Sequence, residues 1–166
     1  EILSLQQSSN NNNISAAVIS RKTGGWWRQI ILNKGSKDGV EIGSTVTGPG
    51  GLLGRVNNTS LFTASVTLIT SPESKLGVWV DRSQINGLLV GSGDDHPILI
   101  LYSKEADIKV GDFVSSSPAS SLLPPNIPIG IVQSIDKTLQ SKKTAKISLL
   151  AKPNVIDWVQ ILKVNI

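Results

Sequence analysis

The sequence predicts an all-β fold of two small, related β-barrels of about six strands each, preceded by the end of a helix or coiled coil. Three observations carry that reading. The apolar segments are short, β-branched and punctuated by glycine, and none holds a long helical period. One phrase is spelled twice: Val40, Ile42, Gly43 and Val46 align with Ile108, Val110, Gly111 and Val114, and Leu53, Gly54 and Val56 align with Ile129, Gly130 and Val132. The segments also divide into about five before "TSPESKLG", about six from Gly77 to Leu150, and one left over at the C-terminus. A small barrel avoids exposed strand edges by closing, so the last segment is expected to return and complete the first barrel.

Taken in chain order, "EILSLQQ" spaces Ile2 and Leu5 as the last turns of an amphipathic or coiled-coil helix would, and "SSNNNN" is a polar tract with nothing to bury. Residues 1–13 are therefore assigned to a helix end and linker. The first barrel is assigned to residues 14–75, completed by 151–166, and the second to residues 76–150. The first draws on "AAVISRK", "WWRQIILN", "STVTG", "LLGRVN" and "SVTLIT", and "WVQILKVNI" returns to it. "GVWVDRS", "GLLVGS", "PILILY", "DFVSSS", "IPIGIVQSI" and "TAKISLLA" supply the second. "GPGG" at 48–51 suits a tight reversal, and Asn86-Gly87 between two apolar runs is a hairpin signal. Each repeated phrase reads as a glycine corner, a short strand, a loop and a strand entered through a glycine. Val46 to Gly54 spans 54 − 46 = 8 positions and Val114 to Gly130 spans 130 − 114 = 16, so the second loop is the longer. Gly35, Gly39, Gly43, Gly54, Gly87, Gly111 and Gly130 are read as structural turn positions.

The chain has 166 residues, 39% hydrophobic, enough to bury a core. A net charge of +4 is a mild basic bias that permits an anionic partner without demanding one. The absence of cysteine removes disulfides, thiolate metal sites and thiol nucleophiles together. Methionine is absent even at position 1, so the chain reads as trimmed from something longer. No run approaches the ~20 apolar residues of a membrane span.

Candidate chemistry is sparse. His96, in "GDDHP" beside Asp94 and Asp95, is the sole histidine; an acidic loop before a strand explains it better than a metal site or a triad base. No nucleophile motif frames any serine, and "GPGGLLG" leads into a strand where a phosphate loop needs a helix. Lys137, Lys142, Lys143 and Lys146 make a basic hairpin tip, but no aromatic is interleaved to stack a base. No catalytic, cofactor-binding or metal-ligating residue is assigned.

What is left to offer a partner is shape. Trp26 and Trp27 are adjacent and point to opposite faces of a strand; Trp27 shares its face with Gln29, Ile31 and Asn33 and is the better surface candidate. Leu122 and Leu123, in the Pro/Ser-rich loop "SSSPASSLLPPN", are an apolar pair in need of cover. Unpaired strand edges or apolar patches are expected around Trp27 and the Leu122-Leu123 loop.

The run "AAVISRKTGGWWRQIILNKGSKDGVEIGSTVTGPGGLLGRV", with "TASVTLIT", "GVWVDRSQINGLLVG", "VGDFVSSS" and "IPIGIV" after it, resembles the extracytoplasmic region of the rod shape-determining MreC family from Ile14 onward. The loop after Val114 departs from the family's "TSG"-like turn. The resemblance implies a non-catalytic scaffold on the periplasmic side of the bacterial inner membrane, anchored by a segment outside this chain. It also implies a homodimer or filament in the full-length protein. The partners it implies are MreD, a class B penicillin-binding transpeptidase and that enzyme's glycosyltransferase, with no nucleic acid. The alternatives from the residues are a basic nucleic-acid-binding β-barrel and a β-barrel hydrolase built on His96.

Overall fold

Short runs rich in valine and isoleucine, cut by turn residues, form twelve strands in a computed structural model that describes residues 13–22, 28–103, 105–120, 123–138, 141–153 and 155–162. Residues 1–12, where a helix end and linker are expected, lie outside the described residues, as do Trp26, Trp27 and Leu122. Strands β1 (Asn13–Lys22), β2 (Gln29–Leu32), β3 (Thr45–Gly48), β4 (Gly51–Thr59), β5 (Ala64–Leu68) and β12 (Trp158–Leu162) close one barrel in the order β1-β12-β3-β4-β5-β2. Strands β6 (Lys75–Val80), β7 (Ile85–Val90), β8 (Ile98–Leu101), β9 (Phe113–Ser116), β10 (Pro128–Asp136) and β11 (Lys143–Leu149) close the other in the order β10-β11-β8-β7-β6-β9. All described pairings are antiparallel. Closure leaves neither barrel a free edge among the described residues, so of the two surface features expected, unpaired edges and apolar patches, only the second is open to them.

Alternation fills each barrel. β5 and β6 bury every second residue, so Ala64, Val66 and Leu68 face one core and Leu76, Val78 and Val80 the other. β4 breaks the pattern with four buried residues in a row, Gly51 to Gly54. Its first half is covered on both faces: Leu53 packs in the first core and Leu52 in the second. Ile69, just past β5, also joins the second core. The barrels thus share apolar side chains across their junction, where Arg28, 8% exposed, also reaches Asp95 at 2.8 Å.

The repeated phrase builds the same corner twice. Gly43 and Gly111 take φ of +93° and +94°, which an L side chain rarely adopts. Gly43 N–H donates to Val56 O and Gly111 N–H to Val132 O, at 2.8 and 2.9 Å. The next residue caps the turn in each: Ser44 Oγ accepts from Glu41 N–H, and Asp112 Oδ2 from Lys109 N–H. Val40 and Ile108 are buried, while Ile42 and Val110 are 64% and 65% exposed. Opposite the corner, the register passes from Leu52 to Gly54 in β4 and from Pro128 to Gly130 in β10, leaving Leu53 and Ile129 as the extra, buried residue of a bulge.

Three glycines read as turns lie inside strands. A Cβ on Gly54 would stand 2.1 Å from Thr67 O, and one on Gly130 2.4 Å from Ser148 O, so both admit close approach of the paired strand. Gly87 is likewise inside β7, paired with Val78. The β6–β7 reversal falls earlier, at residues 81–84, with Gln84 at φ 58°. Asn86 instead pairs with Trp79 and accepts a hydrogen bond from Ser117 Oγ, which fixes it in the sheet and corrects the Asn86-Gly87 hairpin.

Candidate docking surface

β12 begins where the chain returns from the second barrel to the first. Residues 150–153 and 155–157 lie on that crossing, with Ala151 and Ile156 packed into the first core as its anchors. Arg21 on β1 holds the crossing down: it donates to Pro153 O at 2.9 Å and to Asp157 Oδ1 at 2.8 Å. With Ile156 turned inward, its neighbour Val155 is left 74% exposed, and Trp158, opposite Ala17 on the outer face, 64% exposed. Beside them lies a groove of about 400 Å³, lined also by Pro49 of the β3–β4 reversal, Leu150 and Ile156. An exposed tryptophan next to an apolar groove is the arrangement of an interface anchor. Trp158 is not among the sequence-derived surface candidates; the burial pattern along β12 shows it on the outer face, with Val159 and Ile161 taking the inward positions.

The sequence-derived surface candidates fare differently. Leu123 is 5% exposed and belongs to the second core, so it is not available as an anchor. The β9–β10 loop around it is tied down by Ser116 Oγ, which donates to Pro124 O and accepts from Ile127 N–H. Leu122 and Trp27 lie outside the described residues.

The residues weighed for chemistry are separated by their partners. Asp94 accepts from Ser92 Oγ at 2.7 Å and from His96 N–H at 2.8 Å, and these bonds hold its carboxyl below the usual range. Asp95 turns away to Arg28. Among the described residues no group of three or more histidine, aspartate or glutamate side chains could hold a metal. His96 Nδ1 is buried without a partner, so no carboxylate orients the ring through that nitrogen as a triad base requires. In the lysine tip, Lys143 Nζ donates to Ala106 O at 2.8 Å and is spent within the barrel.

The Arg82 cluster is structural. Arg82, in the β6–β7 turn, donates to both carboxylate oxygens of Asp107 and of Asp112, at 2.9 to 3.0 Å. Those bonds lower both carboxyls and raise the guanidinium. Asp112 is the capping residue of the second glycine corner, so the cluster fixes that corner to the turn.

Comparison with known proteins agrees with this architecture. The family described as "Rod shape-determining protein MreC, barrel core" matches residues 18–163. The cell shape-determining protein MreC of Caulobacter vibrioides is 30% identical over 133 residues, 80% of this chain and 37% of that protein. The chain therefore spans little more than a third of that relative's length. The crystal structure of MreC from Pseudomonas aeruginosa superposes with a TM-score of 0.83 at 27% identity, covering 90% of this chain and 98% of that one. A structure described as a complex between penicillin-binding protein PBP2 and MreC from Helicobacter pylori shares the fold, with a TM-score of 0.70 at 15% identity over 92% of this chain and 98% of that one.

Proposed function

The chain belongs to the rod shape-determining MreC family, and from that premise we propose that it is the periplasmic part of a scaffold for cell-wall elongation, acting by binding and not by catalysis. The observation that carries the reading is the exposed pair Val155 and Trp158 beside an apolar groove. Its partner of first interest is the class B penicillin-binding transpeptidase, a choice supported by the Helicobacter pylori complex of the same fold. MreD and the glycosyltransferase complete the set, and the full-length protein self-associates and is anchored to the inner membrane from outside this chain. Packing Leu52 and Ile69 of the first barrel into the second core suits such a scaffold, because close-packed side chains across the junction resist independent movement of the barrels.

The test is in cells. Deleting the gene from its host should round the cells, and the full-length wild-type gene should restore the rod. A gene carrying Trp158→Glu, at an exposed position where folding tolerates charge, should be produced at normal level and leave the cells round. Cells that keep their rod shape without the gene overturn the reading.

A further inference from the structure

The outer face of the second barrel carries aliphatic residues where strand alternation calls for polar ones. β7 and β8 bury Leu89, Leu99 and Leu101, so Leu88, Val90, Ile98 and Ile100 point outward, and all four are half-buried. The pairing register gathers them into two rows that cross four strands. Lys75 pairs with Val90, Val90 with Ile98 and Ile98 with Lys146; in the next row Gly77 pairs with Leu88, Leu88 with Ile100 and Ile100 with Thr144. Directly paired residues share a face, so the rows form one outer patch with an aliphatic centre and a lysine on either side. At about 4.8 Å per strand, the two lysine positions are roughly 14 Å apart. Tyr102, two residues beyond Ile100, stands 68% exposed past the end of β8.

The patch has no negative charge of its own. β6, β7, β8 and β11 contain neither aspartate nor glutamate. Among the described residues, the side chains of Lys75 and Lys146 make no ion pair and no hydrogen bond. The segments that flank the lysine row do hold carboxylates, and most are engaged elsewhere. Asp94 accepts from Ser92 Oγ and His96 N–H, Asp95 is paired with Arg28, and Glu73 lines the cleft between Arg55 and the start of β6.

Composition decides between a protein and a lipid surface as the occupant. Protein interfaces are depleted of lysine, and their anchor residues are tryptophan, tyrosine and arginine, with leucine and valine under-represented. This patch is the reverse, with leucine, valine and isoleucine at the centre and lysine at the sides. That is the pattern of surfaces seated at a membrane interface, where aliphatic groups meet the acyl boundary and lysine stems reach back to anionic headgroups. An exposed tyrosine at the border suits the same boundary.

We propose that the outer face of β7 and β8, with Lys75 and Lys146 beside it, binds the surface of an anionic phospholipid membrane, so that the second barrel rests on the bilayer. The proposal rests on the scaffold reading only in placing a membrane within reach of the chain. Vesicle binding is measured without partner or cell, so it can fail while the docking proposal stands.

The chain is floated with vesicles of mixed phosphatidylglycerol and phosphatidylcholine, and with vesicles of phosphatidylcholine alone. The expected result is saturable binding to the first that weakens as salt is raised, and far weaker binding to the second. Lys75→Gln and Lys146→Gln should each weaken it about fivefold, the share of one lysine near an anionic surface. Ile98→Thr/Ile100→Thr keeps β-branched side chains on the strand and the net charge unchanged, and should weaken it at least about tenfold. Lys34→Gln/Lys37→Gln, on the first barrel, removes the same charge as Lys75→Gln/Lys146→Gln and should cost far less, which separates a patch from the pull of the net charge of +4. If the threonine variant fails to fold, the two lysine pairs decide. No binding to the anionic vesicles, a folded threonine variant that binds as tightly as wild type, or equal losses from the two lysine pairs overturns the proposal. A chain that ignores vesicles but binds the transpeptidase domain through Ile98 and Ile100 gives the face to a protein, and the lipid proposal falls.

Discussion

Replacing Gly54 with alanine should be among the most damaging single-methyl changes in the chain. The added Cβ would lie 2.1 Å from Thr67 O and 2.9 Å from Thr67 C, atoms of the paired strand's backbone that cannot rotate away. A tolerable carbon–oxygen separation is about 3.3 Å, so β4 and β5 must part by roughly 1.2 Å at that point. Gly54 also pairs with Val46 on its other side, which blocks a simple shift of β4. Overpacking of this kind costs up to about 3 kcal/mol. For a chain of this size that lowers the melting temperature by roughly 6 to 12 °C. Gly130→Ala, facing Ser148 O at 2.4 Å, should do nearly as much. Gly111→Ala is the contrast: its Cβ meets nothing within 4 Å, and the cost is the φ of +94° alone, about 1 to 2 kcal/mol. Asparagine tolerates that conformation, so Gly111→Asn should recover part of the loss while Gly54→Asn should not. Urea unfolding of the five variants checks the order. A Gly54→Ala protein as stable as wild type, or rescue by asparagine at Gly54, would refute the close-approach argument.

Leu52 should act on the barrel it does not belong to: Leu52→Ala opens the second core from a strand of the first, at about 2 to 5 kcal/mol, and amide exchange should accelerate in β6 to β11. Exchange quickened only in the first barrel would contradict the shared junction. The Arg82 cluster predicts a loss of stability in acid. Asp107 and Asp112 have folded pKa values below their ordinary ones, so their contribution is complete above the unfolded value of about 3.9 and disappears as pH falls through the folded values. The urea midpoint should therefore fall more steeply below about pH 4 in wild type than in Asp112→Asn, and parallel profiles would remove the cluster from the account.

The repeat was legible because it is built from backbone necessity. Gly43 and Gly111 carry a positive φ, Val40 and Ile108 plug the barrel, and both facts leave residue types that recur in order. Strand number was legible for the same reason, since turns between short strands need glycine, proline or polar residues. Asn86-Gly87 misled because turn chemistry and close packing both select glycine, and the difference lies in a neighbour distant in sequence: Ile100 O and the Leu99 and Leu101 side chains fill the space where a Cβ would go. The surface was least legible. Leu123 and Trp158 have similar apolar character in the sequence, yet one is 5% and the other 64% exposed. That outcome depends on which way the β9–β10 loop folds and on the register of β12 against β1, which no local pattern encodes.

We have proposed that the double barrel holds a wall-synthesis enzyme through the surface at Trp158. Calorimetric titration of the chain, as wild type and as Trp158→Ala, against the periplasmic domain of the host's class B transpeptidase tests it most directly. Wild type should bind saturably and the variant should lose about 2 kcal/mol, roughly thirtyfold in affinity, with an unchanged melting temperature. Equal binding by the two proteins, or no binding by either, would contradict it.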